Sequence, residues 1–187
     1  MFRHKVSFLG VPMSNMRDCA SVIGTVRTMA NSVFPQMNDG VLQCNRLVTL
    51  RPCKSFVVEQ KFGFGFPVEQ VPIRWVGDDF KKDFYGLHEA LPSEVSVYEC
   101  ELIKKSFDKD IHSALCGKEV QLSLGIFWEY LKTAHQIFSY GAYVRNKYGD
   151  LRVVHARFQR GGLRVNSSKL HRSVGWLAHR RFIISAS

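Results

Sequence analysis

Two hydrophobic periods take turns along this chain. In "KVSFLGV" Val6, Phe8 and Gly10 fall on one side of a predicted first strand. "SNMRDCASVIGTVRTMANSVF" then changes to a helical period. Met16, Ala20, Ile23, Val26, Ala30 and Val33 recur every three or four residues, Ser14 or Asn15 can cap the start, and Pro35 lies just past the end. "NDG" at 38–40 predicts a turn and "VLQCNRLVTL" a strand. "SFVVEQKFGFGFPVEQVPIRWV" has an extended character. Phe62, Phe64 and Phe66 alternate with glycines, which predicts three rings on one side of a strand and in the core, while Pro67 and Pro72 push the second half to a sheet edge or a loop.

The same alternation continues to the end. "DDFKKDFYGLHEAL" predicts a short helix capped by Asp78, with Phe80, Phe84, Leu87 and Leu91 as its stripe and Pro92 as its stop. "SEVSVYECELI" predicts a strand, "DKDIHSALCG" one or two helical turns closed by Gly117, and "KEVQLSLGI" a strand with Val120, Leu122 and Leu124 in step. In "FWEYLKTAHQIFSYG" Phe127, Leu131, Ala134 and Phe138 predict a helix with Gly141 as its C-cap. "GAYVRN" and "DLRVVHARF" predict strands around a turn at "NKYGD", followed by a second turn at "QRGG" and a third strand, "LRVNS". "SKLHRSVGWLAHRRFII" suits a helix capped by Ser168 or a strand ending in "FII". These elements predict an α+β class: a small, largely antiparallel sheet with two or three packed helices and a basic C-terminal hairpin or arm. Residues 1–158 are expected to form the single domain. Residues 159–187 are expected to be an extension packed on that domain or on a neighbouring subunit.

Composition adds little until charge is placed along the chain. A hydrophobic share of 45% and 14 Phe predict a folded protein. The net charge of +10 is segregated. Residues 61–142 carry twelve acids and nine bases, whereas residues 143–187 carry ten Lys and Arg against one acid, Asp150. Such asymmetry predicts a polyanionic partner: RNA, an anionic membrane surface, or an acidic face of a second copy. The candidate polyanion-binding residues are Arg145, Lys147, Arg152, Arg157, Arg160, Arg164, Lys169, Arg172, Arg180 and Arg181. Arginines on strands can grip phosphates and stack on bases, and they can equally lie on anionic lipid. A predicted β-hairpin places Arg152, Val154, Ala156 and Phe158 on one face and Val153, His155 and Arg157 on the other. Glu99, Glu101, Asp108 and Asp110 form an acidic stretch that can dock the basic tail of a neighbour, with Trp176 as a self-association anchor.

Other chemistry is thin. No phosphate loop or dinucleotide motif occurs, and "FGFGFP" does not run into a helix. His112 and Cys116 stand four apart but lack a second pair at zinc-ligand spacing. No deaminase signature occurs. A histidine pair from His155, His171 and His179 leaves a metal-independent ribonuclease as an alternative. No cofactor and no metal are expected. The five cysteines, at wide spacings and without C-x-x-C, predict reduced thiols in a cytosolic or nuclear setting. The N-terminus makes a poor signal peptide, its apolar run being short and broken by Ser7 and Pro12, so any membrane contact is expected to be peripheral.

The order of elements resembles the matrix proteins of rhabdoviruses and related negative-strand RNA viruses. The likeness is strongest over "FWEYLKTAHQIFSYGAYVRNKYGDLRVVHARF", where a helix from Phe127 through Ala134 and Phe138 to Gly141 leads into two strands around Gly149. A second likeness joins "KVSFLG" to the helix that follows. The chain departs from many members in having no P-P-x-Y or P-T/S-A-P motif and in carrying its charge towards the C-terminus. The resemblance implies a non-enzymatic structural protein that self-assembles and bridges a nucleocapsid to the inner leaflet, inside the virion and in host cytoplasm or nucleus. A dedicated RNA-binding protein, a nucleocapsid component or a silencing suppressor, is the alternative.

Overall fold

A computed structural model describes residues 26–27, 40–115, 121–170 and 174–186. One mixed sheet organises them. Its strands are β1 (Val26–Arg27), β2 (Leu42–Leu50), β4 (Pro67–Val68), β5 (Val71–Val76), β7 (Val95–Leu102), β9 (Ser139–Arg145), β10 (Leu151–Gln159), β11 (Gly162–Lys169) and β12 (Arg181–Ser185), in the spatial order β1-β2-β7-β12-β9-β10-β11-β5-β4. A short β8 (Gln121–Leu122) shares the edge of β9 with β12. A separate hairpin pairs β3 (Ser55–Val57) with β6 (His88–Ala90). Most pairings are antiparallel; β12 with β9, β8 with β9 and β11 with β5 are parallel. The expected small sheet is therefore wrong in size, and where two or three helices were expected the described residues hold four: α1 (Val58–Lys61), α2 (Asp78–Phe84), α3 (Asp108–Ala114) and α4 (Leu124–Leu131).

Helices cover both faces, because the central strands are apolar on both. Val97, Ala142, Val154, Ala156 and Ile183 face α1, α2 and α4. Cys100, Tyr143, Val153, Phe182 and Ile184 face α3 and the Trp176 segment. This is the alternation expected for a hairpin with Val154, Ala156 and Phe158 on one side and Val153 on the other. Residues beyond 158 belong to this sheet: β11 pairs with β10 along its length, and β12 lies between β7 and β9. The described part of the basic segment thus packs in cis.

Several local expectations are corrected. Val26 and Arg27, expected inside a helix, pair with Val48 and Leu47 as a strand; the rest of that helix and the strand before it lie outside the described residues. The Phe–Gly alternation does not form a strand. The chain makes one helical turn, α1, and then a tight turn in which Phe66 N–H donates to Gly63 O and Gly65, at φ +84°, supplies the left-handed residue. Phe62 alone enters the core, against Phe80 and Trp128, while Phe64 and Phe66 are exposed. Pro67 and Pro72 sit at the sheet edge, as their missing donors dictate. α2 begins after Gly77 with no side-chain cap and stops at Phe84, and Leu91 reaches the core from beyond β6. Of the strand expected over 118–126, residues 118–120 lie outside the described residues, Gln121–Leu122 is strand, and the rest is not, because Ser123 Oγ accepts from Ile126 N–H and starts α4 at Leu124. Glu89 completes that cap, accepting from Leu124 and Gly125 N–H; burial, the larger effect, still raises its pKa, with those two bonds opposing. Gly141, expected to end a helix, lies within β9.

The expectation of reduced cysteines is corrected at one pair. Cys44 and Cys100 are directly opposed on β2 and β7 and form a disulfide. Wide sequence spacing hid this, because antiparallel pairing joins residues far apart in sequence. Among the described residues no helix is long and apolar enough to cross a membrane, and no group of three or more His, Cys, Asp or Glu could hold a metal.

Candidate polyanion-binding site

Three buried carboxylates sort the basic residues. Glu99, on β7 and fully buried, accepts from Tyr130 Oη and Arg181 Nη1, with Arg46 at 3.7 Å. Asp108, at the start of α3, accepts from Tyr143 Oη at 3.1 Å and from Trp176 Nε1 at 2.7 Å. Asp83, on α2, accepts from Arg152 Nε at 3.0 Å, Ser167 Oγ at 3.1 Å and Asn146 Nδ2 at 3.2 Å. Burial, and then the adjacent carboxylate, raises the pKa of Tyr130 and of Tyr143, so both phenols stay protonated as donors. Each carboxylate ties the basic final quarter to an earlier element.

The four acids of the expected docking stretch are thus divided between the interior and the surface. Glu99 and Asp108 are buried inside their own chain. Glu101 meets His179 Nδ1 at 2.8 Å and Asn45 Nδ2 at 3.2 Å, and Asp110 accepts from Phe107 N–H at 3.0 Å to cap α3. Trp176, expected as a self-association anchor, is buried against Phe182 and His155. Arg152 and Arg181 are spent on the interior in the same way. Arg181 also lies over the Phe138 ring.

The remaining bases divide by place. Arg145 donates to Gln121 Oε1 and Gly149 O, and Lys147 to Tyr85 O, at the β9–β10 turn. Lys169 shares a cleft of about 390 Å³ with Arg152, Lys82, Asp79 and Asp83, a lining of mixed sign. Arg172 and His171 lie outside the described residues. Arg157 and Arg164 face each other across β10 and β11, five positions along the ladder from the Arg152–Lys169 pair. At about 3.4 Å per residue that is roughly 17 Å. The odd offset puts the two pairs on opposite faces of the sheet.

Arg157, Arg164 and Arg180 line a cleft of about 290 Å³ on the α3 face, with His155, Gln159 and Asn166 completing the polar lining. Arg164 lies over the Trp75 ring at 4.6 Å and Arg180 over the Trp176 ring at 4.7 Å. Neither Asp nor Glu lines it. Arg160 sits in the exposed β10–β11 turn beside it. Trp75 reaches the cleft through a β-bulge. Ile73 pairs with Leu163 and Val76 with Val165, both towards the core, yet two residues, Arg74 and Trp75, stand opposite Arg164. The extra residue turns Trp75 outward onto Arg164. Arg74 is fixed in the bulge by its Nε–H bond to Gly161 O at 2.9 Å.

Of the ten bases picked from the sequence, the fold brings Arg157, Arg164 and Arg180 together, with Arg160 adjacent. It withdraws Arg152 and Arg181. Sequence reasoning missed Trp75, Gln159 and Asn166. Strict alternation from Ile73 puts Trp75 on the core side, and only the bulge reverses it; Asn166 carried no signal beyond being a polar residue within a strand. Comparison of the chain with family models, with curated proteins and with solved structures finds no match.

Proposed function

We propose that this protein binds single-stranded RNA in the Arg157–Arg164–Arg180 cleft and acts as a non-enzymatic component of a ribonucleoprotein assembly. The observation that carries the reading is a cleft of three arginines and an exposed tryptophan with no carboxylate in its lining. Guanidinium groups neutralise phosphates, and aromatic and guanidinium planes stack on bases freed from a duplex. Fluorescence anisotropy with a single-stranded RNA tests it. Binding should exceed that of a duplex of equal length, and Trp75→Ala should cost about 1–3 kcal/mol of affinity. A variant that binds like the parent would remove the cleft from the account.

The matrix-type role, bridging the ribonucleoprotein to an anionic inner leaflet within a virion, is the second reading. It is favoured by Phe64 and Phe66, which are 71% and 48% exposed in a hydrogen-bonded turn. Flotation with phosphatidylserine vesicles separates the two. Vesicle binding lost in Phe64→Ser/Phe66→Ser supports the bridging role; RNA binding with no flotation leaves the first reading alone.

A further inference from the structure

We infer that a ridge formed by residues 103–107 and 174–177 docks on an anionic bilayer surface. The inference supplies a lipid contact for the bridging reading above and rests on that reading. Where β7 and β12 pair, Glu101 stands opposite Arg181; five residues away along each segment, Ser106 stands opposite Trp176 in the same register. Two backbone bonds close that second pair, Ser106 N–H to Trp176 O at 3.1 Å and Trp176 N–H to Ser106 O at 2.7 Å. The two segments thus meet again beyond the end of the sheet. Ser106 and Trp176 turn inward and are buried, with Trp176 Nε1 donating to Asp108. Side chains alternate along an extended pair, so Lys105, Phe107 and Leu177 point the other way. They are exposed, as are Ile103 and Val174 nearby. Leu177 is 69% exposed, Val174 60%, Ile103 50% and Phe107 40%. Four such side chains on two adjoining segments make a patch, whereas single exposed apolar residues are ordinary.

The chemistry of the ridge selects lipid over RNA. Lys104, Lys105 and Lys109 are exposed among and beside its apolar residues. The neighbouring acids are turned to other work. Asp108 is buried, Asp110 is half-buried on Phe107 N–H, and Glu101 meets His179 and Arg181. Three ammonium groups therefore stand beside aliphatic side chains. Ile, Val and Leu have no π-face for a base to stack on, unlike the arginine and tryptophan of the cleft. They can bury apolar area at the headgroup–acyl boundary of a bilayer. Lysine stems lie along such apolar surface while their charged heads reach the anionic headgroups. Burial of the aliphatics and attraction of the lysines then act in the same direction.

Flotation with vesicles containing phosphatidylserine, and with vesicles of phosphatidylcholine alone, tests the ridge. The parent chain is expected to float with the first and not with the second. Val174→Ser/Leu177→Ser should weaken binding to the anionic vesicles at least tenfold. Lys104→Gln/Lys105→Gln should weaken it about thirtyfold. All four residues are exposed, so the melts of both variants should match the parent's. Flotation of the parent that both variants retain in full would overturn the ridge, and would leave the bridging reading to Phe64 and Phe66 or the ridge to a protein partner. Equal flotation of the parent with both kinds of vesicle would overturn the anionic preference. No flotation of the parent with either would overturn the ridge and the bridging reading together. The lysine variant keeps the test decisive if the apolar variant does not fold, since it alters charge and leaves the apolar contacts in place.

Discussion

Arg181 and Arg164 carry the same guanidinium, yet one belongs to the interior and the other to solvent. Arg181 neutralises Glu99, which is fully buried and bonded also to Tyr130. Replacing Arg181 by Leu leaves a buried carboxylate short of its main partner, and urea unfolding should show a loss of about 3–5 kcal/mol. Arg164→Leu alters an exposed residue and should stay within about 0.5 kcal/mol. Nothing in the one-dimensional run of ten bases distinguishes these two. Their partners, Glu99 and Trp75, lie more than eighty residues away in sequence, so the sorting waits on the fold. Glu89 allows a second test at this scale. Burial raises its pKa above the ordinary carboxylate value. A raised folded-state pKa contributes stability that is complete below the unfolded pKa and is lost as pH rises through the folded one. The stability of the parent relative to Glu89→Gln should therefore be greatest below about pH 4, near the unfolded carboxylate pKa, and decline towards neutrality. Paired urea titrations at pH 4 and pH 7 measure it, and a relative stability that rises with pH would contradict the assignment.

The β5–β11 pairing is the element on which the cleft depends. Gly162, at φ +154°, opens β11, and an added Cβ would lie 2.5 Å from Pro72 O and collide with Arg74. The carbonyl is backbone and cannot swing aside. Gly162→Ala should therefore lower stability by more than about 1 kcal/mol and disturb the Arg74–Gly161 contact that fixes the bulge. A thermal melt indistinguishable from the parent's would contradict this. Elements of this kind were unevenly legible. The β9–β10–β11 meander was readable because alternation, Gly149 and the "QRGG" turn agree along one continuous stretch. The start of α4 was not, since "LSLGIFWEYL" is apolar but for Ser123 and Glu129 and carries no period that separates strand from helix. The bulge was not, because it is a mismatch between two strands and neither sequence alone contains it.

Across the whole molecule, the acidic middle and basic end of the sequence are in part complementary halves of one sheet. Asp83, Glu99 and Asp108 hold Arg152, Arg181 and Trp176 in cis, which leaves the excess positive charge concentrated on fewer residues than the sequence suggests. The Cys44–Cys100 disulfide adds a covalent tie between β2 and β7 across a sequence separation of 56 residues. Loop-closure arguments give such a tie about 4 kcal/mol. Peptide mapping without reductant should recover the linked pair, and Cys44→Ala/Cys100→Ala should unfold at lower urea. The central claim is that the polyanion site is the Arg157–Arg164 cleft, and one measurement addresses it most directly. The affinity for a single-stranded RNA is followed against salt for the parent and for Arg157→Gln/Arg164→Gln. If each arginine meets one phosphate, the slope of log affinity against log salt should fall in magnitude by about 1.4 in the variant, with folding unchanged. Identical slopes and affinities for the two proteins would contradict the account.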